Sequence, residues 1–166
     1  MANYPLYRQT VRAAVVGRHN EVKLFLRQIP DDEAAEFNNF LFAAFYGAAI
    51  LEFAYDRGDE AVNKFAKEMV EVHAEVDPPL EEQAVEYCVH GILGEHHLLD
   101  SLDPMHVYRT QLLAIRFIAT RHPQVRKNVL DYLKRAEQLA RQWASGEEPD
   151  VDFGWFDHLD DPAPAA

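Results

Sequence analysis

The chain has 166 residues, with 28 Asp and Glu against 16 Lys and Arg, so its formal net charge is −12. This length suits one domain with a sizeable core, and a hydrophobic fraction of 48% excludes a wholly disordered chain. The single cysteine, Cys88, excludes an internal disulfide framework and indicates a reducing compartment. The first residues lack the charged and apolar regions of a signal peptide, so we expect a cytoplasmic protein.

Helix start and stop signals divide the chain into segments. Asp59, Asp77 and Asp103 are expected N-caps, because a short carboxylate accepts hydrogen bonds from the free N–H groups of a first turn. The signals predict six helical segments, at residues 5–29, 32–57, 59–76, 79–99, 104–121 and 124–144. We find no alternating strand pattern. The predicted fold class is all-α, with about six helices in an irregular antiparallel bundle or in stacked helical hairpins.

Two parts of the chain differ in composition. Residues 4–144 form the predicted helical domain, and residues 145–166 form an acidic C-terminal tail that carries aromatic residues. Within the domain, residues 40–51 (FLFAAFYGAAIL) contain no charge. This run is shorter than the ~20 residues of a membrane span. It therefore predicts a central helix rather than a membrane segment, with Gly47 allowing a close helix approach.

Residues 13–26 read AAVVGRHNEVKLFL. The stretch resembles the helix pair of an ankyrin repeat, through Ala13, Ala14, Gly17, Val22, Lys23, Leu24 and Leu26. The resemblance implies that Gly17 ends one helix and lets the chain reverse. A looser copy begins 30 residues later with Ala43, Ala44 and Gly47, but the family's repeat is about 33 residues and its TPLH-type turn is absent before both copies. An irregular bundle or stacked hairpins is therefore the alternative.

The charge is unevenly distributed along the chain. Residues 30–103 carry a net charge of −15, whereas residues 104–144 carry +6. The overall charge disfavours nucleic acid, since phosphate backbones attract Lys and Arg. Basic residues of the last two helices, including Arg116, Arg126 and Lys127, are candidates for contact with an anionic partner. They can equally face the acidic middle of the same fold.

The tail contains an unusual group of apolar residues among its acids. These residues are Phe153, Trp155, Phe156 and Leu159. The flanking residues cannot bury enough surface to fold alone. The aromatic residues either dock on the helical domain or anchor another protein, and they are our best candidates for an interaction element.

A group of histidines and carboxylates offers a second type of site. Across a tight turn, His97, His106 and Asp100 could meet, and imidazole with carboxylate suits Zn, Fe or Ni. Helical phase argues against this metal site, because it puts His106 opposite the core stripe of its helix. Glu86 with His90 is the other pair that could share an ion. His96 lies on a predicted core stripe and is expected to be a buried structural histidine.

The sequence favours a non-catalytic function. Cys88 lies on a core stripe, which is typical of a small buried hydrophobic residue rather than a nucleophile. We predict a protein-interaction or adaptor domain without a cofactor, whose partner is another protein or a second copy of the chain. The alternative is a metal-binding helical-bundle protein or enzyme. A lesser alternative is nucleic-acid binding through residues 104–144.

Overall fold

The computed structural model describes residues 2–147 and 155–156, and its fold is all-α, as predicted. Eight α-helices and two short 3-10 helices, but no strand, occur in this part of the chain. The α-helices are α1 (Tyr4–Val15), α2 (His19–Gln28), α3 (Ala34–Glu52), α4 (Asp59–Val72), α5 (Glu82–Ile92), α6 (Pro104–Arg121), α7 (Pro123–Lys127) and α8 (Val129–Ser145). The 3-10 helices are Asp31–Glu33 and His96–Ser101.

The predicted segment 5–29 is two helices rather than one. Gly17 has φ = 80°, and the Arg18 N–H donates to the Ala13 carbonyl at 2.8 Å. This is the glycine C-terminus of a Schellman motif, so Gly17 ends α1 and α2 packs back on it. The resemblance to ankyrin helix pairs implies this role for Gly17. At the looser copy, however, α3 continues through Gly47 to Glu52 without a turn.

The N-cap predictions have different outcomes. The Asp103 side chain accepts from the Met105 N–H at 2.9 Å, and α6 spans the predicted residues. The other two N-cap predictions are wrong, because Gly58 precedes α4 and Glu81 precedes α5. After Asp77, the carbonyl oxygens of two consecutive prolines accept hydrogen bonds from Arg109 of α6, at 2.7 and 3.3 Å. This tertiary contact holds the segment outside the helix.

Three further predicted segments are shorter or divided. The segment 32–57 becomes a 3-10 helix followed by α3, and 79–99 becomes α5 followed by the second 3-10 helix. The segment 124–144 divides at Asn128, whose side chain donates to the Gln124 carbonyl at 3.1 Å. Side-chain hydrogen bonds to a nearby backbone compete with the helical pattern at such positions.

Helix α3 is the central element and packs against α1, α5, α6 and α8. Helix α6 runs beside it in the same direction, since the Tyr108 hydroxyl donates to the Ala34 carbonyl and Arg121 lies 3.1 Å from Glu52. Helix α8 crosses its other side, where the buried Tyr132 hydroxyl donates to the Ala44 carbonyl. The predicted uncharged run at 40–51 therefore forms the middle of the core.

By length and composition, one helical stretch of the described residues, Asp31–Glu52, could cross a membrane. Core helices pass the same test, and half of its most apolar window is buried inside the domain.

Candidate functional site

A cleft opens between α3, the C-terminal end of α5 and α8. Its volume is about 550 Å³, which lies within the range of small-molecule pockets. Its walls are formed by Asn38, Asn39, Phe42, Tyr46, Ile92, Leu93, Gly94, His96 and Trp143.

The cleft has an aromatic wall. The Phe42 and Trp143 rings lie edge to face, with centroids 5.8 Å apart, and the His96 ring lies 6.4 Å from Phe42. These three side chains are only partly buried or exposed. Partly exposed aromatic rings give a large contact area at a low cost in conformational entropy.

Three polar side chains line the same cleft. The carboxamides of Asn38 and Asn39 make no hydrogen bond to any residue that the structure describes, and the ring nitrogens of His96 make none either. Each carboxamide offers two donor hydrogens and one acceptor oxygen. The cleft therefore combines apolar surface with hydrogen-bonding groups that no residue within 2–147 or 155–156 engages.

Local structure explains how the cleft forms. Residues 38, 42 and 46 follow a spacing of four along α3, so their side chains lie on one face of this helix. Beyond α5, Gly94 has φ = 137°, a backbone conformation that other residues rarely adopt. The chain turns there and places His96 beside Phe42. A Cβ on Gly91 would lie 2.7 Å from Leu99, so this glycine lets the second 3-10 helix pack closely on α5.

The predicted interaction residues of the tail lie next to this cleft as far as they are described. Trp155 is 4% exposed and packs against Tyr46 and Tyr132, while Phe156 stacks on Tyr132 with centroids 5.7 Å apart. Both aromatic residues thus dock on their own helical domain. Phe153 and Leu159 lie outside the described residues.

Gly47 makes the docking of Trp155 possible. A Cβ at this position would lie 2.5 Å from the indole ring. The close approach predicted for Gly47 is therefore made by an aromatic ring of the tail segment and not by the backbone of a neighbouring helix.

The three basic candidate residues lie in two places. Arg116 lies against the α1–α2 turn, with its guanidinium 3.5 Å from His19. Arg126 and Lys127 are exposed on α7, and neither forms an ion pair with a described residue. The structure does not bring Arg116 together with the tail residues that it describes.

The candidate metal ligands are not assembled into a site. His97 and Asp100 are exposed on the second 3-10 helix, and His106 lies in the first turn of α6. Nowhere in residues 2–147 or 155–156 do three His, Cys, Asp or Glu residues form a group that could hold a metal ion. The two residues of the other proposed pair contact different side chains. Glu86 accepts from Asn63 at 2.5 Å, whereas His90 lies 3.4 Å from Glu95 and 3.6 Å from Asp59.

The environment of His96 differs from the one predicted. His96 is exposed on the cleft, so the prediction of a buried structural histidine is wrong. Its helix ends earlier than predicted, and the core stripe ends with it.

Cys88 is buried on α5, and burial raises the pKa of its thiol to about 12. A thiol in this state is almost fully protonated at neutral pH and a poor nucleophile.

Sequence reasoning missed the cleft itself. The face formed by Asn38, Phe42 and Tyr46 was hidden in a helix that is apolar nearly all the way round, and Trp143 comes from an element 100 residues away. The two adjacent asparagines gave no signal, because Asn38 is exposed and Asn39 half-buried, and polar residues at such positions indicate only a solvated helix face. Comparison with protein-family models, curated proteins and solved structures finds no match to this chain.

Proposed function

We propose that this chain is a non-catalytic protein-interaction or adaptor domain, and that its cleft binds a short segment of another protein. The observation that carries the proposal is the combination, in a cleft of about 550 Å³, of aromatic rings with two carboxamides that bond to none of the described residues.

The chemistry of the cleft matches that of a peptide. A carboxamide can donate to a main-chain carbonyl and accept from a main-chain N–H of the same bound segment. The rings of Phe42 and Trp143 supply apolar contact for one anchoring side chain, in the manner of interface residues that dominate binding energy. The occupant we propose is an extended segment with one aromatic or large aliphatic residue.

Peptide selection tests this proposal. Peptides are selected from a random displayed library on the full chain, and their affinities are measured by calorimetry for Asn39→Ala and for the matched control Asn20→Ala. Asn20 is an exposed asparagine of α2, which does not contribute to the cleft. Loss of two hydrogen bonds predicts roughly tenfold weaker binding to Asn39→Ala, with the affinity of Asn20→Ala unchanged.

Two results would contradict the proposal. One is a selection that yields no peptide. The other is a set of peptides that bind both variants equally. A selected peptide that matches a segment of this chain would instead assign the cleft to a second copy, and the mass of the complex in light scattering would show this.

A further inference from the structure

One aromatic residue belongs both to the cleft and to the docking site of the tail. Tyr46 of α3 is half-buried and lines the cleft. Its ring also packs against Trp155 of the tail, with the two ring centroids 6.5 Å apart and the ring planes inclined at 52°. Tyr46 is therefore the side chain through which the tail and the cleft can act on each other.

The docked tail residues lie outside the cleft. Neither Trp155 nor Phe156 is among the residues that line it. The indole ring lies instead beside Gly47, the residue after Tyr46, and 6.0 Å from the ring of Tyr132 on α8. These two tail residues thus leave the cleft open, and Trp155 supports one of its walls.

The indole ring limits the space that is available to Tyr46. A Cβ on Gly47 would lie 2.5 Å from the indole, so the ring fills the volume directly against α3 at this point. When Trp155 leaves, that volume is vacant and the Tyr46 ring gains other rotamers. Ordering a side chain again when a ligand binds weakens the binding by roughly two- to tenfold.

We infer that Trp155 is a positioning residue for the cleft, because its docked ring holds Tyr46 in place and thereby strengthens the binding of a peptide. The inference rests on the proposed peptide cleft and assigns its regulation to the tail of the same chain. Release of the tail then lowers the affinity of the cleft. The coupling is reciprocal, so a bound peptide also stabilises the docking of Trp155.

Peptide affinity provides the first test. Peptides whose binding depends on Asn39 are selected on the full chain, and calorimetry measures their affinity for Trp155→Ala. We expect roughly two- to tenfold weaker binding than to the unchanged chain. Val22→Ala is the control, because it also removes buried apolar atoms but lies on α2, which does not line the cleft. Its affinity should be unchanged, and the helix content of each variant checks that it is folded.

A double-mutant cycle tests whether the effect passes through Tyr46. Trp155→Ala is combined with Tyr46→Ala, and the same peptides are measured. If Trp155 acts by holding the Tyr46 ring, its removal has no further effect once that ring is absent.

Hydrogen exchange tests the coupling in the reverse direction. The chain has two tryptophans, so its NMR spectrum contains two indole N–H signals, and Trp155→Ala identifies one of them. Exchange of the Trp155 indole N–H should slow in saturating peptide by the factor that Trp155→Ala loses in affinity. This factor stays constant as more peptide is added, whereas protection through global unfolding continues to increase.

The outcomes separate this inference from the proposed function. An Asn39-dependent peptide that binds Trp155→Ala as tightly as the unchanged chain overturns the inference alone. Tighter binding to Trp155→Ala overturns it too, because the tail would then compete with the peptide. An equal loss of affinity in the Tyr46→Ala background or in Val22→Ala does the same, since the effect would come from general loosening. A selection without any Asn39-dependent peptide contradicts the proposed function, and the inference fails with it.

Discussion

The contact between Gly47 and Trp155 shows how one hydrogen in place of a methyl group decides where a segment docks. The indole ring occupies the space next to Gly47, between α3 and Tyr132 of α8. Glycine in a helix interior destabilises the helix by roughly 0.5–1 kcal/mol relative to alanine. The burial of a whole indole ring offsets this cost.

A double-mutant cycle measures that contact. We expect Gly47→Ala to lower the free energy of unfolding by about 1–3 kcal/mol, because its new methyl group overlaps the ring of Trp155. In the Trp155→Ala background the same change meets no ring. It should then raise the free energy of unfolding by roughly 0.5–1 kcal/mol through helix propensity alone.

Urea unfolding of the four proteins provides the measurement. A change of sign between the two backgrounds supports the docking of Trp155, because residues far apart with no shared partners have additive effects. Equal effects of Gly47→Ala in both backgrounds would show that the indole ring lies elsewhere.

Local rules predicted the cap at Asp103, whose partner is the N–H two residues later in the same turn. The end of α1 at Gly17 was implied only by the resemblance to ankyrin helix pairs, because the stop signals left residues 5–29 as one helix. Asp77 has the same composition signal as Asp103 but does not cap a helix. Its neighbourhood is determined by Arg109, which lies more than 30 residues further along the chain. A sequence window that contains only the capping residue and its neighbours cannot include this contact.

At the level of the helices, His19 of α2 and His73, which directly follows α4, give the stability of the fold a pH-dependent cost. His19 and His73 have pKa values below the ordinary 6.5, so the unfolded chain binds protons more readily than the folded chain there. The contribution of the two neutral imidazoles to the free energy of unfolding is therefore complete above about pH 6.5. It is lost as the pH falls through the folded pKa values.

Acidification should reveal this cost through a difference between variants. From about pH 7.5 to about pH 5.5, we expect the free energy of unfolding to fall less in Arg116→Gln than in the unchanged chain, because the variant removes a cationic neighbour of both imidazoles. Urea unfolding at both pH values measures it. Arg126→Gln is the control, and an equal response of the two variants would contradict the expectation.

Helix boundaries were predicted less well than helix existence, for a physical reason. Periodicity continued past the real end of α5, because Leu98 and Leu99 keep an apolar pattern across the turn at Gly94. Leu99 does pack on the domain, but from a 3-10 helix that lies against Gly91. Hydrophobic periodicity reports which residues are buried and not which backbone conformation buries them.

For the molecule as a whole, Cys88 reports on cooperative opening. At about pH 8, a thiol with a pKa of about 12 is ionised in only about one molecule in ten thousand. We expect thiol modification of the folded chain to require unfolding of the core around α5. Its rate should rise with urea concentration in parallel with global unfolding. Rapid modification that is independent of urea would instead show that α4 and α5 open separately.

The all-α class and the central position of residues 40–51 were predictable, since both depend on composition and pattern. The cleft was not, because it combines side chains from three separate elements. Without the relative positions of those elements, the sequence shows asparagines and aromatic residues that lie apart.

The central helix has a consequence for synthesis of the chain. The Ala44 carbonyl meets its Tyr132 partner 88 residues later, so α3 cannot complete its packing until the last helix has been made. At about 5–20 residues per second, this interval lasts roughly 4–18 s. During it, the nascent chain presents the uncharged surface of residues 40–51 to its surroundings, and aggregation or capture by a chaperone competes with folding.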